Sequence, residues 1–221
     1  MTRVLVLRPE PGASATVERA RARGLDAIAV PLFEIEALEW EPPEPARFDG
    51  LLLTSANAVR RAGDGLRELR GLPAYAVGEA TAEAAREAAL DLAATGDAGV
   101  ERLLGSIEPQ LQLLHLCGEH HQAPADASQQ ITPVPVYRAT AIDQPKLGSV
   151  EGAVALIHSP RAGRRFAELV RKRSSTAIAA ISPAAAEAAG GGWATVESAA
   201  QPSDDALLAL AARLCNNPPP E

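Results

Sequence analysis

Short, wholly apolar runs alternate along this chain with longer stretches in which apolar residues recur every three or four positions. Arg3–Leu7 is a brief apolar run with β-branched residues, broken by Pro9 to Gly12. The spacing from Ala13 to Arg23 then predicts a helix that stops at Gly24. Leu51–Leu53 predicts a strand that enters a helix from Asn57, and Ala74–Val77 a second that enters a helix near Thr81. Leu111–Leu116, Val154–Ile157 and Thr176–Ile181 repeat the behaviour. Continuous apolar strands joined by helices indicate parallel sheets covered on both faces, the α/β class.

The pattern occurs twice. Val30-Pro31-Leu32-Phe33 resembles Val134-Pro135-Val136-Tyr137, Leu53-Thr54-Ser55 resembles Ile157-His158-Ser159, and Ala76-Val77-Gly78 resembles Ala180-Ile181-Ser182; each pair is offset by 104 positions. Three matches at one offset indicate two copies of one unit, an internal duplication; a solenoid needs three or more copies. Proline is poorly tolerated in a central strand. The segments around Pro31 and Pro135 therefore read as connectors that leave one domain for the other. This predicts a discontinuous first domain, residues 1–34 plus 140–221, and a second domain over 38–136. The connecting strands, near 31–38 and 133–140, would lie side by side as a hinge. Two domains in simple succession would satisfy the same repeat.

Composition narrows the function. The chain has 221 residues, 47% hydrophobic and 22% charged, the profile of a globular protein. Aromatics are only 3%, so alanine, leucine and valine must fill the core. The net charge of −7 gives no basic face for nucleic acid. Arg171-Lys172-Arg173 reads as a solvated helix end. Cys117 and Cys215 form neither a CxxC pair nor a metal spacing, and read as two reduced thiols of a cytoplasmic protein. The amino-terminal run lacks a signal-peptide pattern, and no apolar stretch is long enough to span a bilayer. The proline-rich tail Asn216–Glu221 reads as disordered.

Ligands of open parallel sheets bind beyond the carboxyl ends of the strands. Those positions hold Arg8-Pro9, Thr54-Ser55-Asn57, Gly78-Glu79-Thr81, Cys117-Gly118, His158-Ser159-Arg161 and Ser182-Pro183. Ser159-Pro160 and Ser182-Pro183 look like helix starts, serine as cap and proline at the first helical position. Free N–H groups at such starts suit a ligand with several carboxylates. Taken singly, each hydroxyl reads as an ordinary cap; the case for a ligand rests on their joint placement at strand ends in both copies. No dinucleotide or P-loop glycine pattern, no HExxH and no GxSxG elbow is present. Gly118-Glu119-His120-His121 lacks metal-ligand spacing, and Asp204-Asp205 reads as acidic capping of the last helix. His158 reads as either a residue lining the ligand site or a satisfied, half-buried histidine.

Taken in order, seven stretches resemble the uroporphyrinogen-III synthase family over nearly the full length. They are Val-Leu-Val-Leu-Arg-Pro from Val4, Pro-Leu-Phe-Glu-Ile from Pro31, Asp-Gly-Leu-Leu-Leu-Thr-Ser-Ala-Asn from Asp49, Ala-Val-Gly-Glu-Ala-Thr-Ala from Ala76, Val-Tyr-Arg-Ala from Val136, His-Ser-Pro-Arg-Ala from His158 and Pro-Ser-Asp-Asp-Ala-Leu from Pro202. The resemblance implies two flavodoxin-like domains joined by a two-stranded β ladder, with a cleft between them. It implies hydroxymethylbilane as substrate, uroporphyrinogen III and water as products, and a monomer with no metal and no organic cofactor. It implies Tyr137 as the proton donor, where the first copy carries Phe33, and Thr54, Ser55, Thr81, Ser159 and Ser182 as substrate-binding positions. Ala184 and Ala185 stand where many relatives carry hydroxyls. Arg8 and Arg161 are candidate carboxylate partners, because guanidinium forks suit carboxylates. The competing expectations are a two-domain binder of an anionic small molecule and an inactive family member.

Overall fold

The computed structural model describes residues 2–96, 99–121, 123–124 and 127–216. In chain order the first elements are β1 (Arg3–Val6), α1 (Gly12–Ala22), β2 (Asp26–Ala29), β3 (Phe33–Ala37), β4 (Gly50–Leu53), α2 (Ala56–Arg61), β5 (Ala74–Val77), α3 (Glu79–Glu87), β6 (Leu92–Gly96) and α4 (Val100–Leu104). The chain continues through β7 (Gln112–Gly118), β8 (Gln130–Ala141), β9 (Val154–Ile157), α5 (Pro160–Leu169), β10 (Ala177–Ala180), α6 (Pro183–Ala189), β11 (Thr195–Ser198) and α7 (Asp204–Asn216). The fold is mixed α/β with parallel sheets. Asn216 ends α7, and the disorder expected beyond it concerns 217–221, outside the described residues. Among the described residues no helix is long and apolar enough to cross a membrane. The chain divides into unit 1, Met1–Glu34 with Ala141–Glu221, and unit 2, Ile35–Thr140.

Unit 1 holds a five-stranded parallel sheet in the order β11-β10-β9-β1-β2. Val4, Val6, Val154, Leu156, Ala177 and Ala179 send alternate side chains into one core with Val17 and Ala20 of α1 and Leu207, Leu208, Leu210 and Ala211 of α7. Each fully buried leucine or valine of such a core stabilises by roughly 1.5–3 kcal/mol. Small residues elsewhere allow close approach of helices. A Cβ on Gly163 of α5 would lie 2.9 Å from the Ala185 carbonyl of α6. Phe166 stacks on Trp193 with ring centroids 5.2 Å apart, and the Arg173 guanidinium lies over the Trp193 ring at 5.0 Å. Arg173 also donates to the carbonyls of Val170, Gly191 and Ala167. Arg171 and Lys172 are exposed as the basic run suggests, whereas Arg173 is structural.

Unit 2 carries most of a six-stranded sheet in the order β3-β8-β7-β4-β5-β6. From β8 to β6 all pairs are parallel. Leu51, Leu53, Leu114, Leu116 and Val136 face α2 and α3. Leu52 and Leu113 face the other way, towards Leu103 and Leu104 of α4. The strand order β6-β5-β4-β7-β8 follows the same path as β11-β10-β9-β1-β2, and the 104-residue offset carries β4 onto β9 residue for residue.

One expectation needs correction. Pro31 lies outside any strand, between β2 and β3, but Pro135 is not in a connector free of the sheet. β8 starts at Gln130, and Pro133 and Pro135 pair with His115 and Cys117 of β7. The reason is the side on which their missing N–H groups fall. Gln130 N–H donates to Leu111 O on the β7 side. Alternation then turns the nitrogens of residues 133 and 135 away from β7, so neither proline removes a bond of that ladder. Farther along, Leu38 N–H donates to Val136 O and Ile142 N–H to Leu32 O, so β3 and β8 run antiparallel.

Candidate functional site

In unit 2 the carboxyl ends of β4 and β7 and the second half of β8 bring Thr54, Ser55, Gly118 and Tyr137 together. Ser55 has extended backbone and caps α2, its Oγ accepting from Asn57 N–H at 3.2 Å. The Tyr137 hydroxyl donates to the same oxygen at 3.2 Å. With two bonds accepted, the Ser55 proton is free to point outward. Tyr137 reaches Ser55 because of a bulge. Cys117 pairs with Pro135 but Gly118 with Tyr137, so β8 holds one extra residue. The extra residue turns Tyr137 onto the same face as Val134 and Val136, against the α2 and α3 core. Gly118 supplies the room, since a Cβ there would lie 2.7 Å from Tyr137 Cζ.

Thr54 faces the other side of the sheet. Its Oγ1 lies 2.9 Å from Nε2 of His115 in the middle of β7. Thr81 lies in the first turn of α3, not in the loop before it, and is buried. That helix starts at Gly78, whose φ of +81 is a left-handed conformation suited to glycine.

In unit 1 the strand ends hold a denser constellation. Ser159 caps α5, accepting from Ala162 N–H at 3.2 Å, and Ser182 caps α6, accepting from Ala185 N–H at 3.3 Å. Ala185 is fully buried and Ala184 exposed. Arg161 lies over the Phe33 ring at 4.7 Å, so the first-copy counterpart of Tyr137 meets a guanidinium instead of a serine. Arg8 donates to Asp204 Oδ1 at 3.4 Å and to Thr16 Oγ1 at 3.5 Å.

Asp204 stands in the first turn of α7, as its reading as an acidic cap expects, but its side chain does more than cap. Ser203 caps α7, its Oγ accepting from Ala206 N–H at 3.2 Å. The Asp204 carboxylate turns inward and accepts from Thr16 Oγ1 at 2.7 Å, from Arg8 and from Arg19, with His158 Nε2 at 2.9 Å. The partners come from just beyond β1, from α1 and from just beyond β9, 46 to 196 residues away in sequence, so no local pattern announces them. His158 is half-buried as a residue, and its side chain is only 7% exposed.

Two buried histidines are held neutral. Burial, then the nearby His121, lowers His115 to about 4. Burial, then the Arg8 guanidinium, lowers His158 to about 3; a carboxylate shared with two arginines does not offset them. The unfolded chain therefore takes up these protons first. Stability is fully present above about pH 6.5 and falls as pH drops toward those values, by about 1.4 kcal/mol per pH unit for each histidine. Urea midpoints measured at pH 7.5, 6 and 5 should fall steadily; equal midpoints would contradict the neutral assignment.

Among the described residues no group of three His, Cys, Asp or Glu is placed to hold a metal ion. Cys117 and Cys215 are free thiols, and burial pushes Cys117 up to about 11, where it is unreactive.

The chain belongs to the uroporphyrinogen-III synthase family, whose model, described as uroporphyrinogen-III synthase HemD, matches residues 14–209. The family's enzymes are cyclising lyases of tetrapyrrole biosynthesis. Among solved structures, the uroporphyrinogen-III synthetase of Helicobacter pylori is 18% identical, with 97% of this chain and 100% of that chain covered and a TM-score of 0.66. A mutant uroporphyrinogen III synthase of Thermus thermophilus is 19% identical, with 98% and 100% covered and a TM-score of 0.56. At these identities the likeness is one of fold. No curated protein sequence matches the chain.

Proposed function

We propose that this chain converts hydroxymethylbilane to uroporphyrinogen III and water, acting as a cytoplasmic monomer without metal or organic cofactor. The observation that carries the reading is the family match over residues 14–209, which includes the ends of β4, β5, β7, β9 and β10 and starts after β1 and Arg8. The two units are taken as duplicated flavodoxin-like domains, residues 1–34 plus 140–221 and 38–136, with the segments near 31–38 and 133–140 as hinge strands. The common strand order of the two sheets supports the duplication.

The chemistry asks for little beyond shape and one proton. Protonation of the hydroxymethyl oxygen on ring A releases water and leaves an azafulvene. Ring D attacks that carbon through its own substituted α-carbon, giving a spiro intermediate. Fragmentation and re-closure leave ring D inverted. Uncatalysed closure skips the spiro step and gives the type I isomer, so the protein must hold the bilane where direct closure is excluded. Tyr137 is assigned as the proton donor, its hydroxyl held in place by the bond to Ser55. Thr54, Ser55, Thr81, Ser159 and Ser182 are assigned to binding substrate, with Arg8 and Arg161 as cationic partners of its carboxylates. Arg8 already answers Asp204, which favours Arg161 as the more available of the two.

The test is product analysis. Fresh hydroxymethylbilane is supplied, the products are oxidised, and type I and type III porphyrins are separated. Type III should form in proportion to protein. Type I alone, at the blank rate and with folded protein, would discard the enzyme reading in favour of a binder of anionic small molecules or an inactive member.

A further inference from the structure

A histidine in the middle of β7 is an expensive choice. The strand reads Gln-Leu-Leu-His-Leu-Cys-Gly, and His115 pairs with Leu52 on one side and Pro133 on the other. It faces the apolar layer of Leu52, Leu103, Leu104 and Leu113, and only 2% of it is exposed. A leucine would pack there without a polar group to satisfy. Among the described residues the imidazole has one hydrogen-bond partner, Thr54 Oγ1 at 2.9 Å, and its Nδ1 is buried without any. Thr54 Oγ1 in turn bonds to nothing else among the described residues, and the residue is half-exposed at the end of β4.

Two tautomers are possible, and they have opposite consequences. If Thr54 donates to Nε2, the ring proton sits on Nδ1 as a buried N–H with no acceptor. If Nε2 carries the proton, it donates to Thr54, and Nδ1 presents only an unpaired lone pair. Orphaned buried N–H groups are rarer than under-used acceptors, and the Nε2–H form is also the more stable one of free histidine. With Nε2–H donating, the Thr54 oxygen is occupied and its own proton must point away, towards the strand end. An imidazole kept neutral by its burial adds no charge that would pull this arrangement apart.

We propose that His115 is a positioning residue that commits the Thr54 hydroxyl to donate a hydrogen bond, selecting an acceptor such as a substrate carboxylate at the end of β4. The inference rests on the proposed reaction only for the identity of that acceptor. It assigns a role to a residue that lies 61 positions from the one it orients.

Two readouts test it. In the 15N spectrum of the labelled, ligand-free protein near pH 7.5, His115 should show a protonated Nε2 and a bare Nδ1; the reverse pattern overturns the proposal. For kinetics with hydroxymethylbilane, Thr54→Val and His115→Leu should each raise KM about tenfold with kcat nearly unchanged. The double variant should be no worse than either alone. His115→Gln, whose amide nitrogen can take the place of Nε2, should recover most of the loss, and it keeps the test open should His115→Leu fail to fold. Additive effects in the double variant, or an unchanged KM in Thr54→Val, would overturn the proposal. Those results require that wild-type protein make type III product. Type I alone from wild type defeats the proposed function, and leaves the tautomer readout to decide this inference by itself.

Discussion

Asp204→Ala should lower stability by about 3 kcal/mol, measured as the urea midpoint at pH 7.5. The carboxylate is 10% exposed and answers two guanidiniums, one imidazole and one hydroxyl. Removing one member of a buried ion pair costs roughly 3–5 kcal/mol, because the partner charge stays behind uncompensated. The lower end applies here, since Arg8 and Arg19 are 32% and 47% exposed and can turn partly to water. Asp204 is also the first residue of α7, where the helix dipole favours an anion, and alanine forfeits that as well. Asp204→Asn keeps the shape and some acceptors but not the charge, and should fall between. Asp205→Ala is the control. Its side chain is 72% exposed and paired with Arg23 at the surface, so it should cost less than about 1 kcal/mol. A midpoint for Asp204→Ala within the range of the control would show that the cluster carries no stability.

The strands that the sequence announces are those buried on both faces. The central strands β4, β9 and β10 are apolar at every position, and their hydrophobic runs place them within about a residue. The edge strands β6 and β11 alternate half-buried and exposed residues over only five and four positions, too short for a period of two to stand out. The proline at 135 misleads for a related reason. Its cost depends on which side the missing N–H faces, and that is a property of the pairing, not of the residue. The site divides the same way. Serine before proline announces a cap from local chemistry alone, and both Ser159 and Ser182 cap. The bonds that define the rest, Thr54 to His115 and Tyr137 to Ser55, span 61 and 82 positions. The bulge that aims Tyr137 exists only once β7 and β8 are paired.

Tyr137→Phe should slow formation of the type III product at least about tenfold while leaving the fold intact. A placed proton donor contributes typically about 10²–10⁴-fold, and water loss from a hydroxymethylpyrrole proceeds to some extent without help, so the threshold is set below that range. The substitution removes one oxygen. The ring keeps its packing against the α2 and α3 core and its place over Gly118, so the stability change should stay near about 1 kcal/mol, the worth of the bond to Ser55. Packing and proton donation are thereby separated. Gly118→Ala provides the converse variant. It keeps the hydroxyl but puts a methyl group 2.7 Å from Tyr137 Cζ, and should move the ring off Ser55. A donor that must stand in one place loses turnover in both variants. A tyrosine that only packs would tolerate the phenylalanine and suffer from the alanine. Unchanged turnover in Tyr137→Phe would therefore remove the hydroxyl from the mechanism, and leave the bilane's own conformation in the site as the source of the type III outcome.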